Sequence, residues 1–338
     1  MTAGVPDHGG THTWKRTVAC SFVAQVLSIL GFSFAIPFMP FFIGELGVSD
    51  AAQQAWWSGK ALAATGMTLA LFAPLWGVLA DRYGRKVMVL RSMFGGAVVL
   101  LLMSFSRNVI DLIICRLLQG IFTGTVAASV ALVASVTPQR RSGLTLGLMQ
   151  SAVFVGAALG PLMGGVVSDL YGYRAAFRIG AVMVLLGGIL VYYGTDEHFT
   201  PPEHDHRSGR VRFRTALANS GFVTAILILL AVRYANTITN PSFPLIIREI
   251  IPSTERLNSV AGIIMALAGV AGAVSASVLG HVGDRMGHLR IVILCSLGAA
   301  LTAAAHVLAR TIPELTVIHL LFGLAVAGTM PAANAMIQ

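Results

Sequence analysis

The sequence predicts an all-α membrane protein: two parallel six-helix repeats, the second cut short, leaving about ten transmembrane helices, six and then four. Three observations carry this. The chain is 56% hydrophobic and 11% charged, with mean hydropathy +0.79, whereas soluble domains carry about 25% charged residues. Its apolar residues fall into segments of about 20, the length that crosses a bilayer as a helix with every backbone group satisfied internally. And the chain repeats: Gly77, Asp81, Arg82 and Gly84 recur as Gly280, Asp284, Arg285 and Gly287, all at an offset of 203 residues.

The first apolar segment, 17–42, follows Lys15 and Arg16. It is too long for the core of a signal peptide and carries Pro37 and Pro40, so it reads as a retained span. Spans 54–80 and 86–105 are joined by the charged, glycine-punctuated turn Gly77 to Lys86 and must form a helical hairpin. Spans 109–135, 143–167 and 175–194 complete the first unit. The polar stretch Thr195 to Thr215, with Pro201, Pro202 and four arginines, reads as a solvated hinge. This divides the chain into a six-helix bundle 1–194, a cytoplasmic linker 195–218 and a partial bundle 219–338. The latter holds spans 219–247, 259–280, 289–309 and 313–337. Six spans before the linker predict six after it, so the counterparts of spans five and six are expected to be missing.

The net charge of +9 suits nucleic acid in principle, but the cations sit in short loops between apolar runs, which is the pattern of membrane orientation. With the N-terminus in the cytoplasm, fourteen of the 23 Lys and Arg fall on the inner side. Cys20, Cys115 and Cys295 lie inside apolar segments, so no disulfide framework is expected, and no zinc spacing appears. No convergent nucleophile–base or metal-ligand set lies at membrane depth and no phosphate-binding glycine loop is present. The expectation is neither an enzyme nor an ATP-driven machine.

Further landmarks support the repeat. Pro37 and Pro40 match Pro241 and Pro244 at an offset of 204, and Leu117-Leu118-Gln119-Gly120 matches Leu320-Leu321-Phe322-Gly323 at 203. Parallel repeats of this kind place a transport site at their interface near the bilayer midplane.

Motifs lie on this frame in order. Gly77 to Lys86 fits G-x-x-x-D-R-x-G-R-K at every fixed position. Leu112, Arg116, Gln119, Gly120 and Gly124 form the fourth-span pattern, and Gly147, Gly156, Gly160, Pro161, Gly164 and Gly165 form G-x8-G-x3-G-P-x2-G-G in the fifth. With Leu30, Gly31, Pro37 and Pro40 in the first span, the chain resembles the major facilitator superfamily, and within it the twelve-span drug:proton antiporters. The resemblance implies export of small amphipathic compounds by proton antiport with alternating access. It also implies a multi-pass protein of the plasma (inner) membrane, monomeric, with lipid, substrate and protons as partners and the proton gradient in place of a cofactor. The alternatives are an exporter of a sugar or other metabolite, or a non-transporting fragment.

The resemblance makes Gly77, Asp81, Arg82, Gly84, Arg85 and Lys86, with Asp284 and Arg285, a gating loop: charges that meet helix ends in one conformer and part in the other. The second copy is degraded, with His288 and Leu289 where the strong form has Arg and Lys. The family's loop aspartate docks on span eleven, absent from this chain, and Ala128 to Thr137 offers no acid for Arg85. Gly156, Gly160 and Gly164, spaced by four, form one stripe on span five; Gly262, Ala266, Gly269, Ala273 and Ser277 form another on span eight. Small stripes let helices approach, so spans five and eight are expected to touch across the interface. The expected coupling and substrate cavity residues are Arg116, five residues after Asp111; Arg233, with Asn236 and Asn240 on the same face of span seven; and His319, the repeat counterpart of Arg116. All 14 acids lie in loops or near span ends. With no carboxylate at the midplane, a neutral, zwitterionic or anionic substrate is expected.

Overall fold

The computed structural model describes residues 13–197, 199, 242–250 and 256–335, and every regular element among them is helical. In chain order these are α1 (Thr13–Ser33), α2 (Met39–Glu45), α3 (Ala51–Tyr83), α4 (Arg85–Met103), α5 (Val109–Phe122), α6 (Thr125–Val136), α7 (Ser142–Tyr171) and α8 (Tyr173–Gly194). After the helical residues 242–250 come α9 (Leu257–Met286), α10 (His288–Ala305) and α11 (Ile312–Ala335). Nine helical segments are long and apolar enough to span a bilayer among the described residues. They coincide with nine of the ten sequence-predicted spans; most of the seventh lies outside the described residues.

Local chemistry sets the boundaries. Asp50 caps α3 by accepting from the Gln53 amide at 2.8 Å, and Asn108 caps α5 through the Asp111 amide at 2.9 Å. One residue, Gly84 at φ 95°, separates α3 from α4, and its repeat mate Gly287 at φ 92° separates α9 from α10. A side chain rarely adopts this conformation, so the repeat seen in the sequence is a repeat of backbone geometry. The predicted fourth span is not continuous. Thr123 is extended and Gly124 sits at φ 127°, so the span is two helices, α5 and α6, meeting end to end.

Hydrogen bonds sort the helix ends into two faces of the molecule. At one, Arg16 Nη2 donates to the Tyr193 carbonyl and Lys86 Nζ to the carbonyls of Tyr192 and Thr195. The start of α1, the α3–α4 turn and the end of α8 therefore share what we term the turn end. At the opposite end, Arg174 donates to the carbonyls of Ser104 and Ser106, which joins the start of α8 to the end of α4. Within the first set of helices α1 packs on α7 and α8, α4 on α8, and α3 on α5; within the second, α11 packs on both α9 and α10. Large apolar side chains such as Met67, Leu71, Leu186, Leu294 and Leu301 point outward, as they do on a surface solvated by lipid.

The two sets meet along α7 and α9, as the paired stripes predict, but the glycine stripe of α7 does not make this contact. A methyl group on Gly156 would meet Ile29, on Gly160 it would meet Ser33, and on Gly164 the Phe34 carbonyl. The stripe beds α1 inside the first set. Contact with α9 comes from the next flank of α7: a methyl at Gly262 would strike the Pro161 carbonyl, and one at Gly165 the Asn258 carbonyl. Gly147, the first residue of the pattern, has open space around it among the described residues.

Candidate functional site

Between the two sets lies a cavity of about 370 Å³, walled by Ser33 at the end of α1, Pro37 after it, Phe154 and Pro161 of α7, Met265 of α9 and His319 of α11. That volume is within the range of drug-sized sites, about 300–1,000 Å³. Pro161 lies inside α7, and it leaves one backbone carbonyl of the preceding turn without its helical donor. The wall is apolar with few polar groups, of which the His319 ring is the most basic.

His319 does not stand alone. His306, the residue after Ala305 at the end of α10, places Nε2 3.0 Å from His319 Nδ1, and its own Nδ1 2.7 Å from the Thr302 carbonyl. Phe243 stacks on His319 with ring centroids 3.8 Å apart and meets His306 edge-on at 6.0 Å. The rings are 3% and 4% exposed. Sequence reasoning found His319 and missed His306; the available signal was a second histidine at the end of the preceding span.

The opposite end is closed. Asp169, near the end of α7, accepts from the Asn258 amide at 3.2 Å and the Ser259 amide at 2.7 Å. It also accepts from Asn258 Nδ2 at 2.7 Å and Ser259 Oγ at 2.5 Å. These are the first residues of α9, so a carboxylate from one set caps the positive end of a long helix of the other. Arg248 Nη1 donates to Gln54 Oε1 at 3.4 Å, and Phe38 packs in one apolar cluster with Phe243, Ile247, Leu257 and Leu315. No motif or spacing points to this clamp, because its partners lie about 90 residues apart.

At the turn end, Asp81 and Arg82 are exposed in the last turn of α3, and Arg82 lies 5.5 Å over the Tyr83 ring. Asp81 and Arg85 edge a second cavity of about 380 Å³ with Trp76 and Arg91; Arg91 is not a loop cation but stacks 3.6 Å over the Trp76 ring. A carboxylate from the linker reaches this turn, at the backbone rather than at the Arg85 side chain. Glu197 accepts from the backbone amides of Arg85 and Lys86 at 2.9 and 2.7 Å, and so caps the start of α4. Asp284 and Arg285 occupy the last turn of α9, with Arg285 exposed.

Arg116 is 2% exposed, inside the first set and not among the cavity-lining residues. Nη1 donates to Gln119 Oε1 at 2.7 Å, while Nε and Nη2 have no partner. Ser21, Gln25 and Ser28 on α1 are likewise buried without partners. Buried polar atoms of this kind ordinarily take water or a moving partner. Asp111 is not a cavity residue: its carboxylate accepts from the Arg107 amide at 3.0 Å at the start of α5. Gly120 is where α3 crosses α5, since a methyl there would strike the Thr65 carbonyl. Arg233, Asn236 and Asn240 lie outside the described residues. No group of three or more His, Cys, Asp or Glu that could hold a metal exists among the described residues.

Comparison with known proteins agrees with the motifs. The sequence pattern of the Major Facilitator Superfamily matches residues 21–338. The chain is 32% identical over 328 residues to "Multidrug resistance protein MdtG" of Proteus mirabilis (strain HI4320), covering 96% of this chain and 81% of that protein. It is 33% identical over 325 residues to the protein of the same name in Rahnella sp. (strain Y9602), covering 96% and 79%. Among solved structures it resembles an inward-facing, occupied bacterial homolog of the human lysosomal transporter Spinster. The TM-score there is 0.78 at 15% identity, over 96% of this chain and 74% of that one. It resembles the nucleoside transporter NupG at TM-score 0.77 and 14% identity, over 95% and 82%. By sequence pattern, repeat and fold, the chain belongs to the major facilitator superfamily, a family of multi-pass membrane transporters.

Proposed function

We propose that the protein exports small amphipathic compounds by alternating access, with protons entering as the compound leaves. The observation that carries this reading is the cavity between the two sets of helices, closed at the opposite end by the Asp169 clamp, while Asp81 is exposed at the turn end. In this reading the turn end is cytoplasmic, with the N-terminus inside, and the structure is the state that loads from the cytoplasm. The bundles 1–194 and 219–338 are the moving bodies, 195–218 is their linker, and one copy of the chain forms the whole cavity. The glycine pattern of α7 resembles that of antiporters, and the similar bacterial proteins bear a multidrug-resistance name.

The test is accumulation in a pump-deficient host expressing the full chain. Neutral and zwitterionic drugs, norfloxacin among them, are expected to accumulate less than in the vector control, and an uncoupler is expected to restore them. Ethidium is expected to be a poor substrate, because no carboxylate lines the described cavity wall. Robust uncoupler-sensitive ethidium export would overturn the substrate class. Export that ignores the uncoupler would overturn proton antiport.

A further inference from the structure

We propose that His306 and His319 form a single proton-binding site, which takes up one proton per transport cycle and whose basic edge is also where substrate donates a hydrogen bond. The inference rests on the export reading above and names its coupling site.

A carbonyl oxygen only accepts, so His306 Nδ1, at 2.7 Å from the Thr302 carbonyl, carries a hydrogen. In the neutral ring that leaves Nε2 as an acceptor. His319 Nδ1, 3.0 Å away, must then be the donor, which makes Nε2 the basic nitrogen of His319, a ring that lines the cavity. Two neutral rings are thus held in one pair of tautomers, each fixed by the other's hydrogen bond.

A proton from cavity water adds to His319 Nε2. The Nδ1 hydrogen then stays or passes to His306 Nε2, and either position keeps the ring-to-ring hydrogen bond with no heavy atom moved. The pair gains one proton and one positive charge; nothing else changes. A second proton would set two N–H groups against each other and two charges about one hydrogen bond apart, which the geometry does not accommodate. Phe243, stacked on His319 at 3.8 Å, offers its π face to the charged form.

The surrounding charges do not compete. On 242–250, Arg248 is held by Gln54 and Glu249 is exposed. On α11, Glu314 accepts from the Arg310 and Thr311 amides at the helix start. The charges of α9 and α10, Asp284, Arg285 and Arg290, lie at the turn end, and Arg256 precedes α9 at the clamp end. From the first set, Asp169 is held by Asn258 and Ser259.

When the pair is neutral, Nε2 accepts a hydrogen bond from a substrate in the cavity; when it is protonated, Nε2 is a donor and repels the same group. Proton and donor-bearing substrate are therefore exclusive at one nitrogen, which is the condition for exchange.

The test uses the full chain labelled with ¹⁵N-histidine, with H306Q and H319Q to assign the rings. The wild type is expected to show the tautomers above at high pH and uptake of a single proton by the pair as the pH is lowered. Two independent protonations, or none before the protein unfolds in acid, would overturn the site whatever the protein transports. In proteoliposomes with an imposed pH gradient and norfloxacin as probe, H319Q is expected to lose uphill accumulation. H319Q accumulating as wild type overturns the site and leaves export standing. Wild type failing to respond to the gradient overturns proton antiport, and the ¹⁵N titration still decides the pair.

Discussion

Asp169 shows how much one carboxylate can hold. Four hydrogen bonds converge on it from Asn258 and Ser259, two from the first amides of α9. Hydrogen bonds to a charged group are worth roughly 1.5–3 kcal/mol each, and this set ties the two sets of helices together at the clamp end. Asp169→Asn keeps the shape but removes the charge and one acceptor. It is expected to move the balance of conformers toward the open clamp end by about one order of magnitude or more. A cysteine placed at Phe41, beside the clamp, should then react faster with an impermeant maleimide added outside cells; an unchanged rate would mean the clamp does not gate. Neither this residue nor His306 could be read as functional from the sequence. Each acts through a partner that spacing does not reveal, Asp169 through residues about 90 positions away and His306 through a ring on the next helix. Arg116 and His319 stand out in the sequence because a basic group inside an apolar run is conspicuous by itself.

Among the elements, α7 separates two roles that one sequence pattern runs together. The pattern fixes where small residues sit, but not which neighbour each faces, since adjacent residues on a helix turn by about 100°. Gly164 faces the Phe34 carbonyl of the chain after α1, while Gly147 faces open space. Gly164→Ala is expected to cost roughly 1–3 kcal/mol by overpacking and to lower the thermal midpoint in detergent. Gly147→Ala should leave it unchanged or slightly raised, because alanine suits a helix better than glycine by about 1 kcal/mol. Equal effects would contradict this division of the stripe. The α3–α4 turn makes a similar point. The sequence marks Gly84 as its pivot and Arg85 and Lys86 as its charges, but the acid that caps α4 is Glu197, about 110 residues on. Glu197→Ala leaves two amides at the start of α4 uncapped and is expected to cost about 1–2 kcal/mol, read by the same thermal assay.

Across the whole molecule, the fold was more legible than the state. Span count and repeat follow from apolar length and offset, which are local or periodic signals, while the α7–α9 contact is expected from small-residue spacing but is made by a different flank of α7. Which end is closed depends on contacts between the two sets, and both conformers of an alternating-access protein must be written into one sequence. The described contacts give α7 and α9 the role of a shared axis, joined along their length, with polar bonds holding the clamp end only. Rocking about that axis requires Gln54 and Arg248, now 3.4 Å apart at their side-chain tips, to separate in every cycle. Replacing both with cysteine, after removing Cys20, Cys115 and Cys295, which are free thiols, allows the two sets to be tied by a short cleavable bis-maleimide. The tied protein should still bind substrate from the turn end but carry out no net export, and cleaving the linker should restore it. Export that continues with the clamp end tied would mean that substrate does not leave between these two sets of helices.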